Sequence, residues 1–466
     1  MKLIFDVEDK PKKGQLVVFA LQQMLAILAA TIAVPVIIGN GLTPAAAMFG
    51  AGIGTLVYIL FTRKQSPVML GSSFAFIGSM SAAFAGGVSM QLGMMGLMIG
   101  AAAAGLVYVV IALLIKAVGV GWINRLMPAV VIGPTVAIIG LSLAGNAVGD
   151  LQRGDVTAVK GGESVVLASP YAAIVCGLIT LAVVMLCSTY GKRLMKLIPF
   201  IIGIMAGYAA AAVMTLIGNA ADIDSLKVID FSVFSSYMSD GGVSLKTFFS
   251  VPDFVFIDAF KGAGEISGSY ILTILVAYVP VALVVFAEHV ADHKNLSSVI
   301  GRDLLEKPGL TRTLLGDGIG SFAGAIFGGC PNTTYGESVG CVAITKNASS
   351  VTMVAASVGC MIVSFLTPFV AFIDSIPACV MGGVCIALYG FIAVSGLKML
   401  KQVDLDKNRN LFVASVILIA GIGGLSVNFG AVTLTEVAAA LILGILTNLM
   451  LSNESEETEN IEENDN

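Results

Sequence analysis

Two stretches of the sequence decide the fold: Pro67-Val-Met-Leu-Gly-Ser-Ser-Phe-Ala-Phe76 and Gly328-Gly-Cys-Pro-Asn-Thr-Thr-Tyr-Gly-Glu337. Each interrupts an apolar run with proline, glycine and hydroxyl side chains. Proline removes a backbone donor and clashes with the preceding helical turn, while β-branched residues favour extended backbone. Non-helical backbone at membrane depth is tolerated only where protein or a wet cavity satisfies it. We therefore predict two short extended segments whose free backbone groups bind a ligand. A simple proline kink in each is the alternative.

The composition indicates a membrane protein. The 466 residues are 57% hydrophobic and only 12% charged, with a mean hydropathy of +0.95. Soluble domains are nearer 45–50% apolar and about 25% charged, so this chain has too little polar surface to cover a soluble globule. The seven cysteines lie in or next to apolar runs and show no CxxC pair. We expect them to be small core residues that form neither a disulfide nor a metal site.

About fourteen apolar runs meet the hydropathy criterion for membrane spans. They fall at 15–38, 44–62, 66–85, 92–116, 128–148, 168–188, 197–217, 269–293, 313–329, 331–345, 350–373, 377–397, 409–424 and 433–451. If the N-terminus is cytoplasmic, the positive-inside rule requires every second connection to be basic. The basic clusters follow that order, beginning at Arg63, Lys116, Lys192, Lys294, Lys346 and Lys398. We predict an all-α polytopic protein with both termini in the cytoplasm.

Two shorter motifs indicate an internal repeat. Pro128-Ala-Val-Val-Ile-Gly133 and Pro377-Ala-Cys-Val-Met-Gly382 each precede a glycine-punctuated apolar span, and seven spans separate them. The two interrupted stretches, in spans 3 and 10, are also seven spans apart. An odd number of spans inverts one unit relative to the other, and inverted repeats are typical of secondary transporters, with the substrate site at their interface. We predict two inverted seven-span repeats; a chance likeness of short motifs is the alternative.

Three acids lie inside predicted spans and are candidates for substrate or proton binding. Glu288 and Asp292 are one helical turn apart in span 8, and Glu337 follows the break in span 10. A charged group at that depth costs several kcal/mol and usually marks an ion or substrate path. A protonated carboxyl can donate one hydrogen bond and still accept others, and facing acids can match the N–H donors of a planar ring. The alternative for Asp292 is a solvated position at the cytoplasmic end.

The only histidines, His289 and His293, are spaced i, i+4. That spacing suits a metal, but the order His-Val-Ala-Asp-His lacks the His-Glu-x-x-His pattern, and no third ligand is obvious. We expect one or both histidines at the membrane surface and predict no metal site. An intramembrane metalloenzyme built on these histidines and Asp292 is kept as an alternative function.

At these residues the sequence resembles the nucleobase–ascorbate transporter family, and within it the bacterial uracil permease branch. The resemblance covers nearly the whole chain and is strongest at Gly71-Ser-Ser-Phe-Ala-Phe-Ile77, Ala287-Glu-His-Val290 and Pro331-Asn-Thr-Thr-Tyr-Gly-Glu337. The family signature is met from Glu337 to Lys346, except that serine replaces the usual asparagine at position 338. Together these motifs are highly specific, although none is so alone.

The resemblance implies a core domain that moves against a gate domain. The core would comprise residues 1–125 (spans 1–4) and 269–375 (spans 8–11). The gate would comprise residues 126–268 (spans 5–7 and an outer loop) and 376–452 (spans 12–14). The acidic tail at 453–466 has no apolar face and is predicted to be disordered. Family members are typically dimers through their gate domains, so a homodimer is expected.

The resemblance also places a pyrimidine between the two extended segments. Carried over residue by residue, Glu288 and Glu337 would hydrogen-bond the ring. Backbone groups at Phe74 and Gly336 would contact its carbonyls, and Tyr335 would flank the site.

Two departures from the family pattern concern proton coupling and the first span. Asp292 would carry the proton together with Glu288. The family resemblance implies histidine at this position in the uracil permease branch and aspartate in other members. Gln22-Gln23 stands where the family often has Gln-His. The first departure concerns the proton-coupling residue and leaves the fold prediction unchanged.

The expected function is uracil import across the bacterial plasma membrane, coupled to a proton, by alternating access. Sodium coupling is kept as the alternative to proton coupling. A xanthine or urate carrier of the same family is the alternative, and a sulfate-type anion carrier ranks low because paired acids would repel its substrate. We expect no enzymatic activity and no cofactor. The expected partner is the lipid bilayer, and no nucleic acid is expected to bind.

Overall fold

The structure, a computed structural model, describes residues 3–119, 122, 126–160, 163–192, 194–236, 244–401, 403–429 and 432–451. The predicted acidic tail at 453–466 lies outside the described residues.

Helices dominate the described chain, and short strands connect some of them. The helices are α1 Lys13–Ile38, α2 Pro44–Phe61, α3 Ile77–Ala83, α4 Met90–Val118, α5 Ala129–Ser142, α6 Ala144–Leu151, α7 Pro170–Tyr190, α8 Leu194–Leu197, α9 Pro199–Ala220, α10 Ser232–Ser236, α11 Leu245–Phe248, α12 Val255–Ala259, α13 Gly268–Ile300, α14 Leu310–Gly328, α15 Gly336–Thr345, α16 Ser350–Val363, α17 Thr367–Asp374, α18 Ala378–Leu400, α19 Asn408–Ile422 and α20 Glu436–Met450. The strands are β1 Leu70–Ser72, β2 Thr157–Lys160, β3 Glu163–Val166, β4 Asn332–Thr334, β5 Val427–Phe429 and β6 Val432–Leu434.

Each of the fourteen apolar runs contains a helix or most of one. Within the described ranges, eight segments are long and apolar enough to cross a membrane. They are Lys13–Ile38, Pro44–Phe61, Met90–Val118, Ala129–Leu151, Pro170–Tyr190, Pro199–Ala220, Gly268–Ile300 and Ala378–Leu400. The prediction of a helical protein with many spans is confirmed. The count of fourteen crossings and the inverted relation of the two halves stay predictions.

The helices pack in two groups. In the first group, α14 packs against α2 and α4, α13 against α4, and α16 against α1 and α2. In the second, α18 packs against α5, α6 and α7, α9 against α7, and α19 against α5 and α20. The first group comes from two distant parts of the sequence, and so does the second.

The strands β1 and β4 meet inside the first group, in the two stretches with which the sequence analysis began. Ser73 N donates to Pro331 O at 2.9 Å, and Tyr335 N donates to Met69 O at 3.2 Å. The strands are antiparallel, with register Leu70↔Thr334, Gly71↔Thr333 and Ser72↔Asn332. Each strand therefore satisfies backbone groups of the other. We call this pair the strand crossing.

Asn332 anchors the strand crossing to α2. Its side chain is 3% exposed, and Nδ2 donates to Gly50 O at 3.1 Å. The amide fits because its neighbours lack side chains. A Cβ on Gly54 or Gly324 would lie 2.4 or 2.2 Å from Nδ2. Close approach of helix backbones at small residues is a common way to pack membrane helices, and here it makes a notch for one polar side chain.

The notch predicts that Gly324→Ala is destabilising. An alanine methyl would displace the Asn332 amide, and overpacking of this kind costs about 1–3 kcal/mol. We expect a lower unfolding temperature in detergent, followed by circular dichroism. The matched control is Gly390→Ala in α18, where a Cβ meets nothing within 4 Å and alanine favours the helix. Equal unfolding temperatures for the two variants would contradict the packing account.

Candidate functional site

A cavity of about 450 Å³ lies beside the strand crossing and brings the predicted site residues together. Its lining includes all six of them: Phe74, Glu288, Asp292, Tyr335, Gly336 and Glu337. They come from the turn after β1, from α13 and from the segment after β4, which are far apart in sequence.

The two walls of the cavity differ in chemistry. One wall comes from the first helix group and carries all three acids. The opposite wall comes from the second group and is mainly apolar: Val136, Ile139, Leu197, Pro199, Phe200, Leu388, Phe391, Ile392 and Met399. It also includes Ser188, Lys196 and Ser395, which the sequence analysis did not identify. In the sequence, Lys196 is one member of the basic cluster that begins at Lys192 and indicates topology.

Backbone donors border the cavity where two helical segments begin. The α15 helix starts at Gly336, and Tyr335 is its N-cap residue. The Tyr335 side chain makes no capping hydrogen bond to the start of this helix. A short 3₁₀ turn starts at Phe74, with no side-chain cap from Ser73. The first N–H groups of a helix have no intrahelical partner and lie at the positive end of its dipole. The cavity therefore combines N–H donors with the three carboxyl groups.

Asp292 is held by a neutral group. Asp292 Oδ2 accepts a hydrogen bond from Thr334 Oγ1 at 3.0 Å. A side chain on Gly336 would place its Cβ 3.7 Å from Asp292 Oδ1, so the carboxyl group lies against the start of α15. Among the described residues, no lysine or arginine forms an ion pair with Glu288, Asp292 or Glu337. Their oxygens can therefore take ligand donors or protons.

Tyr335 ties the two strands together next to the cavity. Its hydroxyl donates to Ser72 O at 2.7 Å, and its side chain is 4% exposed. Its ring occupies the space where Gly71 has no side chain, because a Cβ there would lie 2.5 Å from the ring. The ring is thus fixed at the edge of the cavity.

Ser338, which stands where the family pattern has asparagine, makes two hydrogen bonds next to the strand crossing. Its Oγ accepts from Met69 N at 3.0 Å and donates to Gln23 Oε1 at 3.0 Å. This second departure, Gln23, is therefore its direct partner. The pair connects α1, α15 and the residue before β1, so it supports the strand crossing.

The expectation that one or both histidines lie at the membrane surface is wrong. His289 is 0% exposed and His293 is 1% exposed. His289 Nδ1 lies 2.6 Å from Asp317 Oδ2, and His293 Nε2 lies 2.6 Å from the Tyr58 hydroxyl. The two rings face the interior of the first helix group, whereas Glu288 and Asp292 line the cavity. Because both imidazoles are engaged within the protein, the metalloenzyme alternative is not favoured.

Asp317 is a buried acid that the sequence analysis missed. It lies in α14, is 0% exposed and contacts His289 behind the cavity wall. The rule that an acid inside an apolar span marks a special site applied to it as much as to Glu288, so the signal was present in the sequence.

A second cavity, of about 780 Å³, lies on the other side of the turn after β1. The two cavities share Phe74, Ala75 and Ile139 in their walls. The Phe74 ring also meets the Tyr389 ring edge-on, with centroids 5.7 Å apart. These side chains therefore form the partition between the two cavities.

Comparison with known proteins gives a family match over most of the chain. A family model described as Permease family (Xan_ur_permease) matches residues 14–429. The uracil permease of Bacillus caldolyticus is 39% identical over 467 residues, which cover 99% of this chain and 98% of the relative. The uracil permease of Bacillus subtilis (strain 168) is 38% identical over 460 residues, with 98% and 97% covered.

Solved structures of more distant proteins share the fold. The murine anion transporter Slc26a9 in its inward-facing state superposes with a TM-score of 0.62 at 11% identity, covering 96% of this chain and 69% of that one. The transmembrane domain of the cyanobacterial bicarbonate transporter BicA gives a TM-score of 0.59 at 15% identity, with 94% and 96% covered. At such identities the likeness concerns the fold alone.

Proposed function

Because this chain belongs to the nucleobase–ascorbate transporter family, we propose that it is a symporter that carries uracil into the cell together with a proton. The family resemblance seen in the sequence is confirmed. The protein is a multi-pass membrane transporter and not an enzyme, since its relatives are named permeases.

The observation that carries the proposal is the meeting of six predicted residues in one cavity. Uracil is a planar ring that alternates N–H donors with carbonyl acceptors along its edge. The carboxyl groups of Glu288 and Glu337 accept from the ring N–H groups. Backbone N–H groups at Phe74 and Gly336 donate to the carbonyl oxygens, and Tyr335 flanks the ring. The cavity supports this assignment because it supplies acceptors and donors close together.

The proton is carried by Glu288 together with Asp292. Both line the cavity, and in the described chain neither has a cationic partner, so a proton is the simplest neutralising ligand for this pair. The Thr334 hydroxyl holds Asp292 beside the start of α15, which also carries Glu337. Substrate and proton would thus bind to the same small set of groups.

Transport proceeds by alternating access. The first helix group corresponds to the proposed core domain, residues 1–125 and 269–375, and the second to the gate domain, residues 126–268 and 376–452. The site lies between them, with a cavity on each side of the Phe74 partition. A small movement of core against gate would open one of the two cavities, on one side of the partition, while closing the other. Cytoplasmic termini, a plasma-membrane location and a homodimer complete the proposal.

Substrate identity is tested by equilibrium binding of radiolabelled uracil to the purified protein in detergent. Excess unlabelled uracil, xanthine and urate are the competitors. We expect displacement by uracil and none by the two purines. Displacement by xanthine or urate with equal potency would replace uracil by the purine alternative.

Proton coupling is tested on Glu288. We expect Glu288→Ala to lose uptake, because it removes a ring acceptor and a proton carrier. Glu288→Gln retains the shape but cannot release a proton, so it should bind uracil measurably and fail to accumulate it against a gradient. Full gradient-driven accumulation by Glu288→Gln would remove the proton role from this residue.

A further inference from the structure

Thr333 is a buried hydroxyl residue of the cavity wall whose side chain has an unused hydrogen-bonding group. It is the central residue of β4, lines the cavity and is 3% exposed. Its neighbours on the strand are both engaged: Asn332 donates to Gly50 O, and Thr334 donates to Asp292. Across all the residues that the structure describes, Thr333 Oγ1 has no hydrogen-bond partner.

The register of the strand crossing places this side chain on the face of β4 that carries Tyr335, the residue proposed to flank the ligand. Thr333 is directly opposite Gly71, and directly opposed residues of an antiparallel pair lie on the same face. The Tyr335 ring occupies that face at Gly71. Thr333 therefore lies on the Tyr335 side of the strand crossing, whereas Asn332 and Thr334 point the other way because side chains alternate along a strand.

A buried hydroxyl without a partner is destabilising, and because Thr333 lines the cavity, an occupant of that cavity can supply the missing hydrogen bond. The acids of the site are acceptors when ionised, and they suit the N–H groups of a ring. A threonine hydroxyl can donate, and its Cα–Cβ bond has staggered alternatives through which it can turn to a ligand. It is therefore suited to an exocyclic carbonyl oxygen.

We propose that Thr333 is a specificity-determining residue whose hydroxyl donates a hydrogen bond to a carbonyl oxygen of the bound pyrimidine. This inference rests on the proposed function and adds a side-chain donor to the backbone donors at Phe74 and Gly336. It predicts that the site prefers a carbonyl oxygen at one ring position over a sulfur, which is a weaker acceptor.

The test compares Thr333→Val with Thr333→Ser in the full-length protein. Valine keeps the shape and removes the hydroxyl, so uracil affinity should fall about 3- to 10-fold, as for the loss of one neutral hydrogen bond. Serine should retain affinity. The unfolding temperature of ligand-free Thr333→Val should not fall, because no protein partner is lost. Thr334→Val is the matched control and should unfold at a lower temperature, since it loses the bond to Asp292.

Thiouracils provide a readout that a merely structural role would not change. In wild type, 2-thiouracil or 4-thiouracil should bind more weakly than uracil. In Thr333→Val, the ratio of thiouracil to uracil dissociation constants should fall towards one for the analogue whose sulfur faces position 333.

If wild type binds uracil and Thr333→Val shows the same affinity and the same thiouracil ratios, the inference fails and the proposed function stands. If Thr333→Val unfolds as early as Thr334→Val, the hydroxyl has a protein partner and the inference fails too. If folded wild type binds no uracil, both fail.

Discussion

Glu337→Ala should reduce uracil affinity about 10- to 150-fold. The substitution removes an acceptor at the first turn of α15, where the side chain lines the cavity. Hydrogen bonds to charged groups contribute about 1.5–3 kcal/mol, and each 1.4 kcal/mol is tenfold in affinity. The ring N–H that loses its partner would remain desolvated in the cavity, so the loss should lie towards the upper end. Equilibrium binding of radiolabelled uracil in detergent measures it directly.

The control for that measurement is Glu436→Ala. Glu436 is also an acid at the first turn of a helix and lines the second cavity rather than the first. It should leave uracil affinity unchanged. Equal losses in the two variants would show that the effect comes from general charge or folding, and would contradict the assignment of the first cavity as the site.

Asp317→Ala should destabilise the protein by about 1–3 kcal/mol, the usual cost of leaving a buried polar group without its hydrogen-bond partner. The hydrogen bonds define the charge of the pair. Thr313 Oγ1 uses its proton on Leu310 O at 3.1 Å, so it accepts from His289 Nε2 at 3.0 Å. One further proton then lies between His289 Nδ1 and Asp317 Oδ2, and the pair is neutral as a whole. Alanine leaves this imidazole without its partner.

A double variant separates pairing from packing. Replacing both members of a buried polar pair by apolar groups is often close to neutral, so Asp317→Ala combined with His289→Leu should be more stable than Asp317→Ala alone. The unfolding temperature in detergent is measured for wild type, Asp317→Ala, His289→Leu and the double variant, which together form a double-mutant cycle. Strictly additive losses would show that the two residues do not act as a pair.

Much of the site could be predicted because its signals are local. The prolines and glycines at Pro67, Gly71 and Pro331 interrupt apolar runs within a few residues of the cavity wall. The acids Glu288 and Glu337 stand out because charge is rare in such runs. A sequence pattern is sufficient to predict a site residue when that residue is unusual for its surroundings, such as a proline or an acid inside an apolar run.

The rest depends on packing that no local pattern contains. The sequence predicts one or both histidines at the membrane surface, but α13 continues to Ile300, and the histidines contact Tyr58 of α2 and Asp317 of α14. Lys196 and Ser395 reach the cavity from distant elements of the second helix group. Thr333 looked like any β-branched strand residue until its missing hydrogen-bond partner was visible.

The most direct test of the account is uptake of radiolabelled uracil by the purified protein in liposomes, with and without an inward proton gradient. Glu337→Ala liposomes are the matched control. We predict uptake that the gradient stimulates, a protonophore abolishes and the variant lacks. Uptake indifferent to the proton gradient, or dependent on sodium, would contradict the coupling. No uptake of uracil by demonstrably folded protein would contradict the central claim.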